Sequence, residues 1–107
     1  MQYVLVEWDH DLDDEPYRIY SELDDSRCEV RRVEFFRNGL CFSYGAERGN
    51  SEALADVPFP EDLREIESAS EDLQGESFTA GYISPQLFYE IWNQAQERPD
   101  GFMGMFF

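Results

Sequence analysis

Residues 9–15 read Asp9-His10-Asp11-Leu12-Asp13-Asp14-Glu15, which puts five carboxylates and the chain's single histidine within seven positions. Alternating carboxylates are the ligand pattern of a calcium loop. That loop, however, wants glycine where Asp14 stands and a bidentate glutamate where Tyr20 stands. Zinc is served no better, with one histidine and two distant cysteines, Cys28 and Cys41. The expectation is no metal and no other cofactor. A nucleophilic cysteine needs an adjacent base in an electropositive setting, and His10 lies among acids instead. His10 itself reads as a structural hydrogen-bonding residue. Paired carboxylates are too abundant to signal glycosidase-type chemistry, and no phosphate-cradling glycine loop, nucleophile elbow or triad occurs. No catalytic residues are assigned, and the chain is expected not to be an enzyme.

Charge says more than motif. The chain of 107 residues carries 24 acidic against 8 basic side chains, a formal net charge of −16. Such a surface repels nucleic acid and anionic membrane, since phosphate binding needs a basic footprint, so a basic protein is the expected partner. A surplus of acid also keeps a small domain soluble. All the basic residues are arginines, suited to forked pairing with carboxylates inside an acidic surface. Met1 leads directly into an alternating strand and no apolar run approaches a membrane span, so the expected location is the cytoplasm.

The elements that must hold these groups read as a single α+β domain over residues 1–107. An antiparallel sheet of four to five strands is packed on one face by a C-terminal helix, with a short helix between. Residues 1–45 form the sheet block, residues 58–97 a helix and strand block, and residues 99–107 an apolar tail. In the first strand Val4, Val6 and Trp8 alternate with Tyr3, Leu5 and Glu7, both sides mostly apolar, which predicts a central position or a covered face. Tyr17, Ile19, Ser21 and Leu23 alternate with Arg18, Tyr20 and Glu22 in the second. Asn38-Gly39 predicts a two-residue type I′ turn that sets Phe36 opposite Cys41 and Val33 opposite Tyr44. Val33, Phe35, Leu40, Phe42 and Tyr44 then share one face, with Arg32, Glu34 and Ser43 on the other. The apolar parity switches between Val30 and Val33, which predicts a bulge near Arg31-Arg32. Cys28 falls ~26 Å from the level of Cys41 at the usual strand rise, beyond the ~7 Å that a disulfide allows, so both thiols are expected free.

Further on, Pro60 is placed in the first turn of a short helix with Glu61 and Asp62 at its positive end and Leu63 and Ile66 on its apolar side. Residues 68–76 are polar and acidic with Leu73 as anchor, and residues 78–83 read as an extended edge piece. Ser84-Pro85 predicts a helix start, with Leu87, Phe88, Ile91, Trp92 and Ala95 on one face and the stretch Arg98-Pro99-Asp100-Gly101 ending it. The tail Phe102-Met103-Gly104-Met105-Phe106-Phe107 is expected to dock on its own sheet, with an intermolecular contact as the alternative.

The N-terminal two-fifths of the chain also carry a pattern: Glu7-Trp8 with His10, then Asp14-Glu15-Pro16, then Tyr20-Ser21-Glu22-Leu23-Asp24, then Arg27, Glu29, Arg31, Val33, Glu34, Phe36 and Gly39. It resembles that of a family of uncharacterised small bacterial proteins, and the likeness resumes at Ile83-Ser84 and from Phe88 to Trp92. The middle of the chain is not distinctive, and the Phe-rich tail departs from the pattern. Members of that family resemble immunity proteins of bacterial toxin systems, and the resemblance implies a toxin-binding role. The same residues also read as plain structure: Arg27, Arg31 and Arg32 as cross-strand ion-pair partners of Glu22, Glu29 and Glu34, with Trp8 and Tyr20 as core.

The function expected is that of a cytoplasmic immunity protein, neutralising a cognate toxin that acts on nucleic acid by laying an acidic surface into its basic cleft. The candidate contacts are Asp9, Asp11, Asp13, Asp14, Glu15, Asp24 and Asp25, with Phe102 and Phe106 as apolar anchors. A monomer is expected. The alternatives are a nucleic-acid mimic or regulatory binding module acting on a basic host protein, and a small enzyme using His10 and the acidic loop.

Overall fold

The computed structural model describes residues 1–12, 14–69 and 75–97 of the chain. Strands β1 (Gln2–Asp9), β2 (Arg18–Leu23), β3 (Glu29–Phe35) and β4 (Cys41–Gly45) form an antiparallel meander. β5 (Ser77–Tyr82) adds antiparallel to β1, and the two-residue β6 (Gln96–Glu97) adds parallel to β4, giving the order β5-β1-β2-β3-β4-β6. The sheet and its C-terminal helix make the α+β fold that the strand patterns predict. β1 sits between β5 and β2, which explains why both of its faces are apolar.

Helix α2 (Pro85–Gln94) starts as its sequence requires, with Pro85 in the first turn and the Ser84 side chain accepting a hydrogen bond from the Leu87 N–H at 3.1 Å. It packs Phe88 and Trp92 onto Tyr3, Tyr20 and Val33, with Ile91 at the margin. Leu87 does not join this face. It is exposed, because one helix over a twisted sheet buries a narrower stripe than the five-residue pattern suggested. The helix also ends at Gln94, before the expected stop at Arg98. Ala95 is extended, and Gln96 and Glu97 pair with Phe42 and Ser43, so strand pairing takes the chain out of the helix.

The second face of the sheet, carrying Val4, Val6 and Leu23, is covered by Phe59, Leu63 and Ile66. The short helix here, α1 (Arg64–Ser68), begins four residues after Pro60 rather than at it. The Phe59 and Pro60 carbonyls are taken by the Arg27 guanidinium at 3.2 and 2.6 Å and cannot open a helix.

The β3–β4 hairpin corrects the predicted register by one residue. Phe35 pairs with Cys41, Glu34 with Phe42, Val33 with Ser43 and Arg32 with Tyr44. Of Asn38 and Gly39 only Gly39 has positive φ, at 89°, so the turn is not type I′. A type I turn closed by the Gly39 N–H on the Phe36 carbonyl, with the Phe36 N–H on the Leu40 carbonyl, makes a three-residue loop ending in a glycine bulge. The consequence is a change of face. Phe42 and Tyr44 lie with Arg32 and Glu34 on the second face, while Val33 and Phe35 stay under α2 with Cys41 and Ser43. The predicted bulge in β3 is present one residue early: Glu22 pairs with Arg31 and Leu23 with Glu29, leaving Val30 as the extra residue.

Both cysteines are free, and burial pushes the Cys41 thiol up to about 11, which keeps it un-ionised at neutral pH. No helix among the described residues is long and apolar enough to cross a membrane. The expected Leu73 anchor and the docking of the tail, including Phe102 and Phe106, lie outside the described residues.

Candidate functional site

The acidic loop leaves β1 at Asp9 and returns at Pro16. Its inside is a histidine. His10 is 1% exposed, and its Nδ1 accepts the Leu12 N–H at 2.9 Å. Since a backbone N–H can only donate, Nδ1 carries no proton, and Nε2 donates to the Pro16 carbonyl at 2.8 Å. The ring lies 4.2 Å from the Trp8 indole, whose Nε1 donates to Glu76 at 2.8 Å. His10 thus staples the two ends of the loop and has no ring nitrogen left for a substrate. Loop carboxylates are turned outward as a result, with Asp9, Asp11 and Asp14 exposed and Glu15 half-buried. Asp13 lies outside the described residues.

The staple has a measurable weight. His10→Ala should cost about 1–3 kcal/mol in chemical denaturation, because it leaves the Leu12 N–H and the Pro16 carbonyl without their partner. Amide exchange at Leu12 should quicken with it, and unchanged exchange there would show that the loop holds itself.

The other candidates are not brought to this loop. Asp24 and Asp25 lie past the far end of β2, a six-residue strand and so ~20 Å away. Asp24 is also engaged, its Oδ1 accepting the Ser26 and Cys28 N–H groups at 2.9 and 3.0 Å, whereas Asp25 is exposed with the N-terminal amine 4.0 Å from it. Two cations flank the acidic loop instead. Arg18 stands 3.4 Å from Glu7 with its guanidinium over the Tyr17 ring, and Arg37 lines the same depression of about 260 Å³. Pro16, whose carbonyl receives the staple, is marked in the sequence only as the last residue of the Asp14-Glu15-Pro16 motif, with no role attached to it.

The motif arginines pair with their glutamates inside the fold rather than on one polar face. Glu22 is buried under α2 and accepts from the Tyr3 hydroxyl at 2.8 Å, with Arg31 3.2 Å away. Burial first, then hydrogen bonding to Tyr89 and Glu22, holds the Tyr3 phenol well above its ordinary value. Arg31 also lies over the Trp92 ring at 5.1 Å, which ties the helix to the sheet. On the second face Glu29 receives the Ser21 hydroxyl at 2.6 Å, the Ala55 N–H at 2.8 Å and Arg32 at 2.7 Å, while Arg32 reaches Glu34 at 3.1 Å. Burial opposes the Arg32 charge. The hydrogen bonds and charges of Glu29 and Glu34 outweigh it and raise the guanidinium above its usual range. Arg27 does not pair with these acids but clamps the carbonyls of Phe59 and Pro60. Tyr20 is core, and Trp8 is half-buried on the opposite face.

Among the described residues no three His, Cys, Asp or Glu side chains converge on a metal-sized point. What the fold and loop define is a small, strongly acidic α+β domain that displays carboxylates from a stapled loop. The chain belongs to the family described as Domain of unknown function (DUF6881), which matches residues 2–97. No curated protein and no solved structure matches it.

Proposed function

We propose that the chain is an immunity protein of the cytoplasm that binds and neutralises a cognate basic toxin, one acting on nucleic acid, by covering its phosphate-binding cleft. The observation that carries this reading is the stapled loop, which offers Asp9, Asp11 and Asp14 to solvent, with Glu15 half-buried beside them, from a chain of net charge −16. Carboxylates held on a pre-formed loop lose little freedom on binding, and a field of one sign speeds encounter with a basic cleft. The resemblance to toxin-system immunity proteins points the same way.

The test is a capture from the lysate of the source organism at low and high salt, followed by co-expression of the retained protein. One basic protein held at high salt, whose toxicity this chain suppresses, is the expected result. The double change Asp11→Lys with Asp14→Lys should then slow association at least ~10-fold at low salt and less at high salt, where charges are screened beyond ~8 Å. A broad set of cationic proteins lost on raising salt would instead favour a nucleic-acid mimic or general stickiness. Suppression untouched by the charge reversal would remove the loop from the interface.

A further inference from the structure

The second face of the sheet holds a cleft of about 310 Å³ between the strands and the chain that straps them. Its walls are Val6 and Ile19 below, Val57 and Phe59 above, and Ile66 at one end. Glu29 and Arg32 stand at its base, already satisfied by one another and by Ser21, Ala55 and Glu34. An apolar group therefore fills it without stranding a polar one. One feature of the mouth is out of place for a plain core. Val57 is 64% exposed, a branched apolar side chain left in water at the edge of an apolar recess.

The strap does not collapse onto the recess because it is held from behind. The Phe59 N–H donates to the Arg27 carbonyl at 2.8 Å, and the Arg27 guanidinium returns to the Phe59 and Pro60 carbonyls and to Gln2 Oε1 at 2.6 Å. Arg27 does this from φ 63°, a left-handed conformation uncommon outside glycine, asparagine and aspartate. The cleft is thus pre-formed, which lowers the cost of filling it.

Charge decides the occupant. Between residues 52 and 67 the strap carries Glu52, Asp56, Glu61, Asp62, Glu65 and Glu67 against Arg64 alone, and Arg64 lies 2.9 Å from Asp62. The base adds Glu29, which Arg32 offsets. An apolar ligand with an anionic head, a fatty acid for example, would meet mostly carboxylates, because the nearest cations, Arg27 and Arg32, are already engaged by the strap carbonyls and by Glu29 and Glu34.

We infer that this cleft is a second contact surface, which seats one apolar side chain flanked by arginine or lysine on a basic protein partner. The inference rests on the proposed function only in taking that partner to be basic.

The experiment is a methyl NMR titration of the full chain with three capped peptides: Arg-Trp-Arg, Arg-Gly-Arg and Glu-Trp-Glu. The first should shift the Val6, Ile19, Val57 and Ile66 methyls saturably and bind at least 10-fold more tightly than either of the others. Val57→Arg, at an exposed position, should abolish those shifts, and Val57→Ala should weaken them with the fold intact by its own methyl spectrum. Equal binding of Arg-Gly-Arg, equal binding of Glu-Trp-Glu, or shifts confined to the loop around His10 would each overturn the assignment. No toxin is present in the titration, so its failure removes the cleft alone, and the suppression assay tests the immunity reading separately.

Discussion

Replacing Arg32 by methionine is expected to lower the free energy of unfolding by about 3–5 kcal/mol, the cost of leaving a buried carboxylate without its counter-charge. Glu29 is the reason, because its side chain is fully shielded and three donors converge on it. Ser21 and the Ala55 N–H would remain, but both are neutral. Glu34 loses less, since the Tyr44 hydroxyl still donates to it at 2.9 Å. The double variant Arg32→Met with Glu29→Gln removes both charges, and its loss should fall well short of the sum of the two single losses. Urea denaturation of the four proteins measures this directly. A cost under about 1 kcal/mol for Arg32→Met would mean that Glu29 is hydrated and that the pair behaves like one at the surface.

The second large effect belongs to α2. Phe88 is completely buried, with the Tyr3 ring 5.2 Å away and Trp92 at 6.2 Å, nearly parallel to it. Phe88→Ala should cost about 3–5 kcal/mol, since the rings around it are fixed from two sides and cannot close the void. Its neighbour Leu87 offers the control. Exposed as it is, Leu87→Ala should change stability by about 0.5 kcal/mol or less. Similar losses for the two would mean that the helix is rotated from the position described. Loosening α2 should also expose Gln96, because β6 follows the helix directly and has only two residues of pairing to hold it.

The contrast between Phe88 and Leu87 shows how far the sequence could be read. Periodicity located α2, its cap and its buried side, but not the width of that side, which depends on how much sheet lies beneath one helix. The hairpin shows the same limit more sharply. Asn38-Gly39 marks a turn whichever loop is used, and with Phe35 and Phe36 adjacent the apolar pattern permits either register. What distinguishes the observed one lies away from the turn, in β4, where the Tyr44 hydroxyl donates to Glu34 on the second face, Ser43 donates to the Gln96 carbonyl and Gly45 lets the strand pass close to the Trp92 ring. The first turn of α1 was misplaced for a comparable reason. Pro60 is a sound helix opener locally, yet Arg27, more than thirty residues earlier, takes its carbonyl. In the candidate site the carboxylates were legible from composition and His10 from its isolation. Their separation into two ends of the sheet followed only from strand direction, and the cleft beside Val57 was hidden because its walls come from four separate stretches of chain.

The strand order carries a consequence for synthesis. β1 to β4 leave the ribosome as a complete local meander, but both of its outer strands wait for partners encoded much later, β1 for residues 77–82 and β4 for residues 96–97. At the usual 5–20 residues per second, the stretch from residue 46 to residue 97 takes about 3–10 s to make. A four-stranded sheet formed in that interval would stand with two unpaired edges, the state in which nascent chains on neighbouring ribosomes can pair with one another. Glu7 and Asp9 on the first of those edges, together with the loop that follows, make such pairing electrostatically unfavourable. The negative charge of that edge thus guards the sheet before it is finished.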